Sequence, residues 1–536
     1  MPATTKTIYR FGTSGWRAIE EFTESAVRQI TDAFADYLIE TMESKNQLLP
    51  VMLGGDTRDK TRQFIPLIAE ILTQKGIDVL RCETDVPSPV LAYAAKYVRE
   101  LELDVTETLG AILMTASHNP WPYGGYNFLT PDGAVMGSSI SKRLEALQEN
   151  PTNRTLSLGD RKRLGGEQVG PASCHTFDPY SIYKKHLLNK LKINFQAIRE
   201  AGLSIHYDPL YATGRLYLPR LLKEEAGLEV RMIHGTDERP AGYAGMPEPT
   251  GSELGELSEN VKADPATLKV GLANDGDSDR FGVLDENGRY VNPNEVLLLV
   301  LHHLIRNKGQ RGVVVRSQAT TNMLDTLAAK YELPVVQTPV GYKYIAAEFE
   351  KHEEHPEGPQ VLIGGESSGG LSVLGHLPEK DGILANLLVA ELIAMEKRPL
   401  GQILEEVQAS LGQWYVFREL GVKTENGQRI REHFQALQGA GGKLAGLAID
   451  TTASDGGSRR LEEAYGTRDG AKLVFEDGSW LLIRASGTEP VVRVYVEAVG
   501  QTSKAAFDKS ETLLDAARSI LMRDFAVPAA SIKEKK

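Results

Sequence analysis

Three aspartates alternate in the run NDGDSDRFG: Asp275, Asp277 and Asp279. Carboxylates crowded to about 5 Å repel one another by roughly 3 kcal/mol at an effective dielectric near 20. A divalent cation turns that repulsion into binding, and an all-oxygen donor set selects Mg2+, Mn2+ or Ca2+ over zinc. A solvated acidic turn is the plain alternative, because Asp and Gly both favour turns. The run nearly fits an EF-hand loop, with Glu286 at its last position. Arg280, however, stands where that loop needs glycine, and the flanks LKVGLA and FGVLD read as strands, so the EF-hand is set aside. An arginine beside such a loop reads better as a phosphate contact, because guanidinium matches phosphate oxygens bidentately.

Three further stretches carry chemistry. In TASHNP, residues 115–120, Ser117 follows an apolar run and His118 adjoins it. A serine near a base is a candidate nucleophile or phosphate carrier. Neighbours in an extended strand point to opposite faces, so the adjacency does not imply a direct Ser–His hydrogen bond. An ordinary turn is the competing reading. GGESSGG, residues 364–370, contains a formal G-x-S-x-G, but a nucleophile elbow needs a helix directly after the serine, and GGLSVLGH follows instead. Glu366 and Ser368 read as hydrogen-bonding groups suited to sugar hydroxyls, against a flexible turn. RASGTEP, residues 484–490, gathers anion donors: Arg484, Ser486, the backbone around Gly487, and Thr488, with Arg493 close behind. Glycine permits close backbone approach, and consecutive N–H groups can form an anion nest. Lesser signals are FGTSGWR with Arg17, GGDTR at residues 54–58, TPVGYKY at 338–344 with Lys343, and EKDG at 379–382 with Lys380.

These loops must be positioned by something, and the pattern is alternating strand and helix. Short apolar runs at 51–54, 111–114, 204–207, 270–273, 312–315 and 361–363 read as buried strands. Amphipathic stretches at 64–74, 294–305 and 322–330 read as helices. Three of the strands run straight into the loops described above, and open α/β sheets bind ligands beyond the carboxyl ends of their strands. The expectation is an α/β protein: three α/β/α domains with mixed, largely parallel sheets, and a smaller α+β C-terminal domain around a central cleft. The boundaries fall at 1–195, 196–300, 301–410 and 411–536, with 150–177 a polar surface excursion and a terminal helix near 503–522.

At 536 residues the chain is too long for one core. Its net charge of −12 argues against a general nucleic-acid binder. Cys82 and Cys174 are the only cysteines, which excludes a disulfide framework and suits a cytoplasmic protein. No secretory segment and no membrane-length apolar run is visible, so no membrane partner is expected.

In this order, TASHNP, DGDSDR, GGESSGG and RASGTEP resemble the α-D-phosphohexomutase superfamily, as do the opening FGTSGWR and the PEP of residues 247–249. The likeness runs from Phe11 to about Val499, and EKDG with GGESSGG is most similar to its phosphoglucomutase and phosphoglucomutase/phosphomannomutase branch. The resemblance implies interconversion of glucose 1-phosphate and glucose 6-phosphate, with glucose 1,6-bisphosphate as intermediate and activator. Phosphomannomutase or phosphoglucosamine mutase activity is the alternative, then a phosphatase using the same serine, and last a silent sugar-phosphate-binding protein. It implies a phosphoserine at Ser117 and one Mg2+ held by Asp275, Asp277, Asp279 and a phosphoserine oxygen. It further implies Arg17, His118 and Arg280 around the moving phosphoryl group, and Glu366 and Ser368 on the sugar. Arg484, Ser486, Gly487, Thr488 and Arg493 would clamp the other phosphate, and Lys380 would be a further contact. One departure stands out. Asn127 falls where many members carry a lysine that helps proton transfer, which leaves His118 and Lys343 as candidates for that role.

Overall fold

The computed structural model describes residues 7–12, 15–101, 103, 105–241, 243, 245–466, 470–485 and 490–535. The chain divides into two compact units, Met1–Val291 with Gly370–Lys397, and Asn292–Gly369 with Arg398–Lys536.

The first unit holds two sheets. One is six-stranded, in the order Trp16–Ala18, Gly124–Leu129, Ala111–Met114, Val51–Gly55, Val79–Cys82, Cys174–Phe177. Its last four strands run parallel, and the first two join it antiparallel. Parallel strands are covered on both faces, which is why Val51–Gly55 and Ala111–Met114 are buried at every position. Helices Glu24–Lys45 and Asp59–Gln74 pack on this sheet through Phe34, Leu38, Ile68 and Leu72. The other sheet is five-stranded, in the order Tyr290–Val291, Phe281–Leu284, Lys269–Asn274, Ser204–Asp208, Arg231–Met232. Lys269–Asn274 and Phe281–Leu284 form an antiparallel pair, with Asn274 opposite Phe281, so the aspartates sit in the connection between two strands.

The second unit contains a parallel group, Val335–Thr338, Val313–Ser317 and Val361–Glu366. It also contains an antiparallel sheet, Ala471–Val474, Trp480–Ala485, Val491–Gly500, Trp414–Lys423 and Ile532–Lys535. Helix Ser503–Phe525 packs on that sheet through Leu513, Leu514, Ala517 and Leu521.

One local expectation is corrected. The stretch 150–177 is no mere surface excursion. Helix Leu158–Gly165 buries Leu164 and Arg161, and Cys174–Phe177 completes the six-stranded sheet. Arg161 is tolerated inside because its guanidinium donates to the Gly76 and Gly170 carbonyls and pairs with Asp78. Leu447–Ala448 forms a two-residue strand paired with Lys443–Leu444.

Candidate active site

The peptide Thr115–Asn119 leaves the carboxyl end of the buried strand Ala111–Met114. Thr115 turns it, accepting the Ser117 N–H at 2.8 Å and donating to Asp56 Oδ2 at 2.7 Å. Ser117 takes a left-handed backbone conformation, φ 49°, and is 3 % exposed. Its hydroxyl donates to Asp275 Oδ2 at 2.9 Å, and His118 Nδ1 lies 3.3 Å from the same hydroxyl oxygen. That second contact corrects the alternation argument. The argument assumed extended backbone, and the left-handed Ser117 swings its own side chain and that of His118 to one side.

Arg58 fixes the loop from below. Its guanidinium is fully buried, paired with Asp56 at 3.0 Å, and donates to the carbonyls of Ser117, Asn119, Pro120 and Tyr123 at 2.5, 2.6, 2.7 and 3.3 Å. Arg17, on strand Trp16–Ala18, donates to Asn119 Oδ1 at 2.6 Å. Asn127 donates to the Thr115 and Leu113 carbonyls at 2.8 and 3.3 Å, so its amide braces the loop backbone.

The aspartate connection meets this loop directly. A Cβ on Gly276 would stand 2.4 Å from the Ser117 carbonyl, so only glycine admits the approach. Asp275 also accepts the Arg280 N–H at 3.0 Å. Asp277 accepts the Ser88 hydroxyl at 3.1 Å, and its carbonyl accepts the Ser88 N–H at 2.8 Å. Asp279 binds Lys380 Nζ, and Arg280 donates to Glu248 at 3.2 Å. Glu248 belongs to the PEP of 247–249, and the Pro247 carbonyl accepts the Gly276 N–H at 3.2 Å.

All three aspartates are buried, and one oxygen of each lies within 4.8 Å of the others. Burial, then repulsion from Asp279 and Asp277, drives the Asp275 carboxyl well above its usual range. Burial, with Asp279 next, also raises Asp277. For Asp279 burial acts upward too, but Lys380 and Arg280 outweigh it and hold the group low. Burial likewise raises Glu379 to about 7. Asp277 Oδ1 and Asp279 Oδ1 are buried without a hydrogen-bond donor. A buried carboxylate oxygen without a donor costs on the order of 1–3 kcal/mol, and a hard cation among these oxygens would remove that cost. The donor set therefore fits a divalent metal.

The remaining predicted residues lie in the second unit. Glu366 ends strand Val361–Glu366 and accepts the Ser368 hydroxyl at 2.6 Å. Lys343 is exposed on the first turn of helix Tyr342–Glu353, 4.8 Å over the Tyr344 ring. Arg484 and Arg493 face one another across strands Trp480–Ala485 and Val491–Gly500, and Arg493 also donates to Glu419 at 2.7 Å. Ser486, Gly487 and Thr488 lie outside the described residues. The sequence reading gave no role to Arg58, Ser88 or Glu248. The GGDTR and PEP motifs flagged two of them, and Ser88 carried no signal.

The sequence matches four family descriptions in chain order: phosphoglucomutase/phosphomannomutase alpha/beta/alpha domain I over 9–155, domain II over 181–288, domain III over 292–410, and the C-terminal domain over 419–512. A phosphoglucomutase/phosphomannomutase of Thermococcus kodakarensis is 30 % identical over 495 residues, covering 91 % of this chain and 94 % of the relative. A phosphoglucosamine mutase of Methanococcus maripaludis is 28 % identical, covering 91 % and 94 %. The crystal structure of a provisionally assigned phosphomannomutase from Thermus thermophilus aligns with TM-score 0.74 at 28 % identity, over 96 % of this chain and 99 % of that one. The chain belongs to the phosphoglucomutase/phosphomannomutase family of the α-D-phosphohexomutase superfamily. It has that family's architecture, three α/β/α domains and a C-terminal domain, and it is a phosphohexomutase, an intramolecular phosphotransferase of carbohydrate metabolism. The family is Mg2+-dependent. Among the described residues no helix is long and apolar enough to cross a membrane.

Proposed function

We propose that this enzyme interconverts glucose 1-phosphate and glucose 6-phosphate, with Ser117 as the phosphoryl carrier and glucose 1,6-bisphosphate as intermediate and activator. The observation that carries the reading is the 2.9 Å hydrogen bond from Ser117 to Asp275 within a buried carboxylate trio that leaves two oxygens without donors. In this reading Asp275, Asp277, Asp279 and an oxygen on Ser117 hold Mg2+. The bound cation would supply charge neutralisation for the phosphoryl group as it moves.

The chain's own residues do the rest. The bond between phosphorus and Ser117 Oγ breaks as a bond to the free sugar hydroxyl forms, and the hydroxyl proton ends on Oγ. The return half reverses these changes with the sugar's other phosphate. His118, 3.3 Å from Oγ, is placed to hold the proton in transit, whereas the Asn127 amide cannot act as a base near neutral pH. Arg17 and Arg280 face the moving phosphoryl group with fixed positive charge, and Lys380 adds a third. The reading assigns the phosphoserine and metal loops to segments 1–195 and 196–300. Segment 301–410 supplies Glu366 and Ser368 for the sugar hydroxyls, with Lys343 as an accessory contact. Segment 411–536 supplies Arg484, Ser486, Gly487, Thr488 and Arg493 for the phosphate that does not react.

Glucosamine phosphate is the second reading, favoured by the Methanococcus maripaludis relative. Turnover of glucose, mannose and glucosamine 1-phosphates, each with its bisphosphate, separates the two. Ser117→Ala should lose isomerisation at least a thousandfold, given that removing a covalent nucleophile costs on the order of 10⁶ in a well-studied hydrolase. Preferred turnover of glucosamine phosphate would remove the glucose assignment. Full activity of Ser117→Ala would remove the carrier.

A further inference from the structure

Lys380 reaches Asp279 from the connection just before helix Gly382–Glu396. Behind it lies a buried polar chain that the chemistry above does not use. Asp381 is fully buried. Its Oδ1 caps the helix, accepting the Leu384 N–H at 2.8 Å, and its own N–H donates to the Leu371 carbonyl at 3.0 Å. Its Oδ2 accepts the Tyr183 hydroxyl at 2.7 Å and lies 3.1 Å from His376 Nε2. His376 Nδ1 is 2.8 Å from His186 Nε2, and the two rings stack with centroids 5.1 Å apart. The Tyr93 ring lies against His186 at 4.4 Å.

His376 Nε2 touches the Asp381 carboxylate without an aligned hydrogen bond, and one of His376 Nδ1 and His186 Nε2 donates to the other. Burial, His376 and Lys190 push His186 down to about 2, so its ring is neutral here. A helix cap needs only the aspartate. Two stacked buried histidines and a tyrosine hydroxyl are far more than a cap requires, and apolar residues of the same volume would pack as well. What the extra groups fix is the direction of Asp381, and so the start of the loop that carries Lys380. The next residue leaves no slack. The Gly382 N–H donates to the Ser278 carbonyl at 3.0 Å, and a Cβ on Gly382 would stand 2.1 Å from the Arg280 carbonyl.

We propose that Tyr183, His376 and His186 are positioning residues that orient Asp381 and thereby hold Lys380 at Asp279. The proposal rests on the reading of Lys380 as a cation of the phosphohexomutase site. The test is a cycle of His376→Phe, Lys380→Ala and the double variant, assayed for KM and kcat, with Tyr183→Phe as the mildest lesion because it removes one hydroxyl. His376→Phe should raise the KM for hexose phosphate about tenfold, the low end for residues that orient a ligand sphere, with kcat within about twofold. In the Lys380→Ala background the same change should move KM less than about twofold, since residues acting through one partner are not additive. Multiplying effects, or a variant that loses only thermal stability, would overturn the proposal. Hydrogen exchange at the Asp381 and Gly382 amides gives an activity-free readout. It should quicken in Tyr183→Phe and His376→Phe while exchange in strand Val51–Gly55 stays unchanged, and unaltered exchange at 381–382 counts against positioning. If the parent enzyme turned over no hexose phosphate, the functional reading would fail while this readout still judged the clamp.

Discussion

Arg58→Met isolates how the Ser117 loop is held. The guanidinium is wholly buried, and methionine matches the length of its stem without its donors. The change strands Asp56, which keeps only the Thr61 and Thr115 hydroxyls and the residue-58 N–H as donors. Removing one partner of a buried ion pair typically costs about 3–5 kcal/mol. The carbonyls of Ser117, Asn119, Pro120 and Tyr123 also lose their donor, which at roughly 1 kcal/mol each would add about 4 kcal/mol if the loop stayed in place. The loop has a cheaper course. It can move outward until water reaches those carbonyls, so the measured loss should stay near 4 kcal/mol. That is a large share of the 5–15 kcal/mol of a typical domain. Urea unfolding followed by Trp fluorescence measures it, with phosphorylation of Ser117 by glucose 1,6-bisphosphate assayed in parallel. The expected result is a clear fall in the midpoint and a loss of phosphorylation beyond the fraction unfolded. Arg58→Lys should recover the charge but only part of the carbonyl clamp, and fall between. A variant with parental midpoint and parental phosphorylation would refute the reasoning.

Three more predictions follow from other contacts. Ser88→Ala removes the hydroxyl that orients Asp277, so Mn2+ affinity measured by titration calorimetry should fall about tenfold while stability moves by less than about 1 kcal/mol; equal affinity would contradict it. Gly382→Ala forces a methyl against the Arg280 carbonyl and the Asn274 amide, so stability should drop by about 1–3 kcal/mol and metal affinity with it; a neutral substitution would show that the connection has room. Acid should destabilise the fold through His186, whose depressed value keeps it neutral when folded, while the unfolded chain takes up a proton below about 6.5. That stability is therefore complete above pH 6.5 and declines by about 1.4 kcal/mol per unit as the pH falls, about 2.7 kcal/mol by pH 4.5. The slope should flatten in His186→Phe, and an unchanged slope would exclude the histidine as its source.

Legibility in the sequence followed the range of the interactions. The aspartate trio was readable because alternation along one short connection brings the carboxylates together whatever the rest of the chain does. The strands flanking it were readable from continuous apolar runs, and they stand at Lys269–Asn274 and Phe281–Leu284. The contact between Ser117 and His118 was not, because the alternation rule holds only for extended backbone and Ser117 leaves it. Arg58 was hidden for a different reason. Its partners are mostly backbone carbonyls about 60 residues away, and carbonyls have no sequence signature. The same applies to Arg161, which turned an apparently polar excursion into part of the sheet. His186 and His376 are separated by 190 residues, and nothing local marks either as half of a pair.

The central claim is tested most directly by following one phosphoryl group. The enzyme is labelled at Ser117 with 32P, freed of excess label, and mixed with unlabelled glucose 1-phosphate and Mg2+ in a single turnover. The account expects the label to leave the Ser117 peptide and appear in glucose 1,6-bisphosphate, with little released as inorganic phosphate. Label on another residue, or release mainly to water, would contradict it.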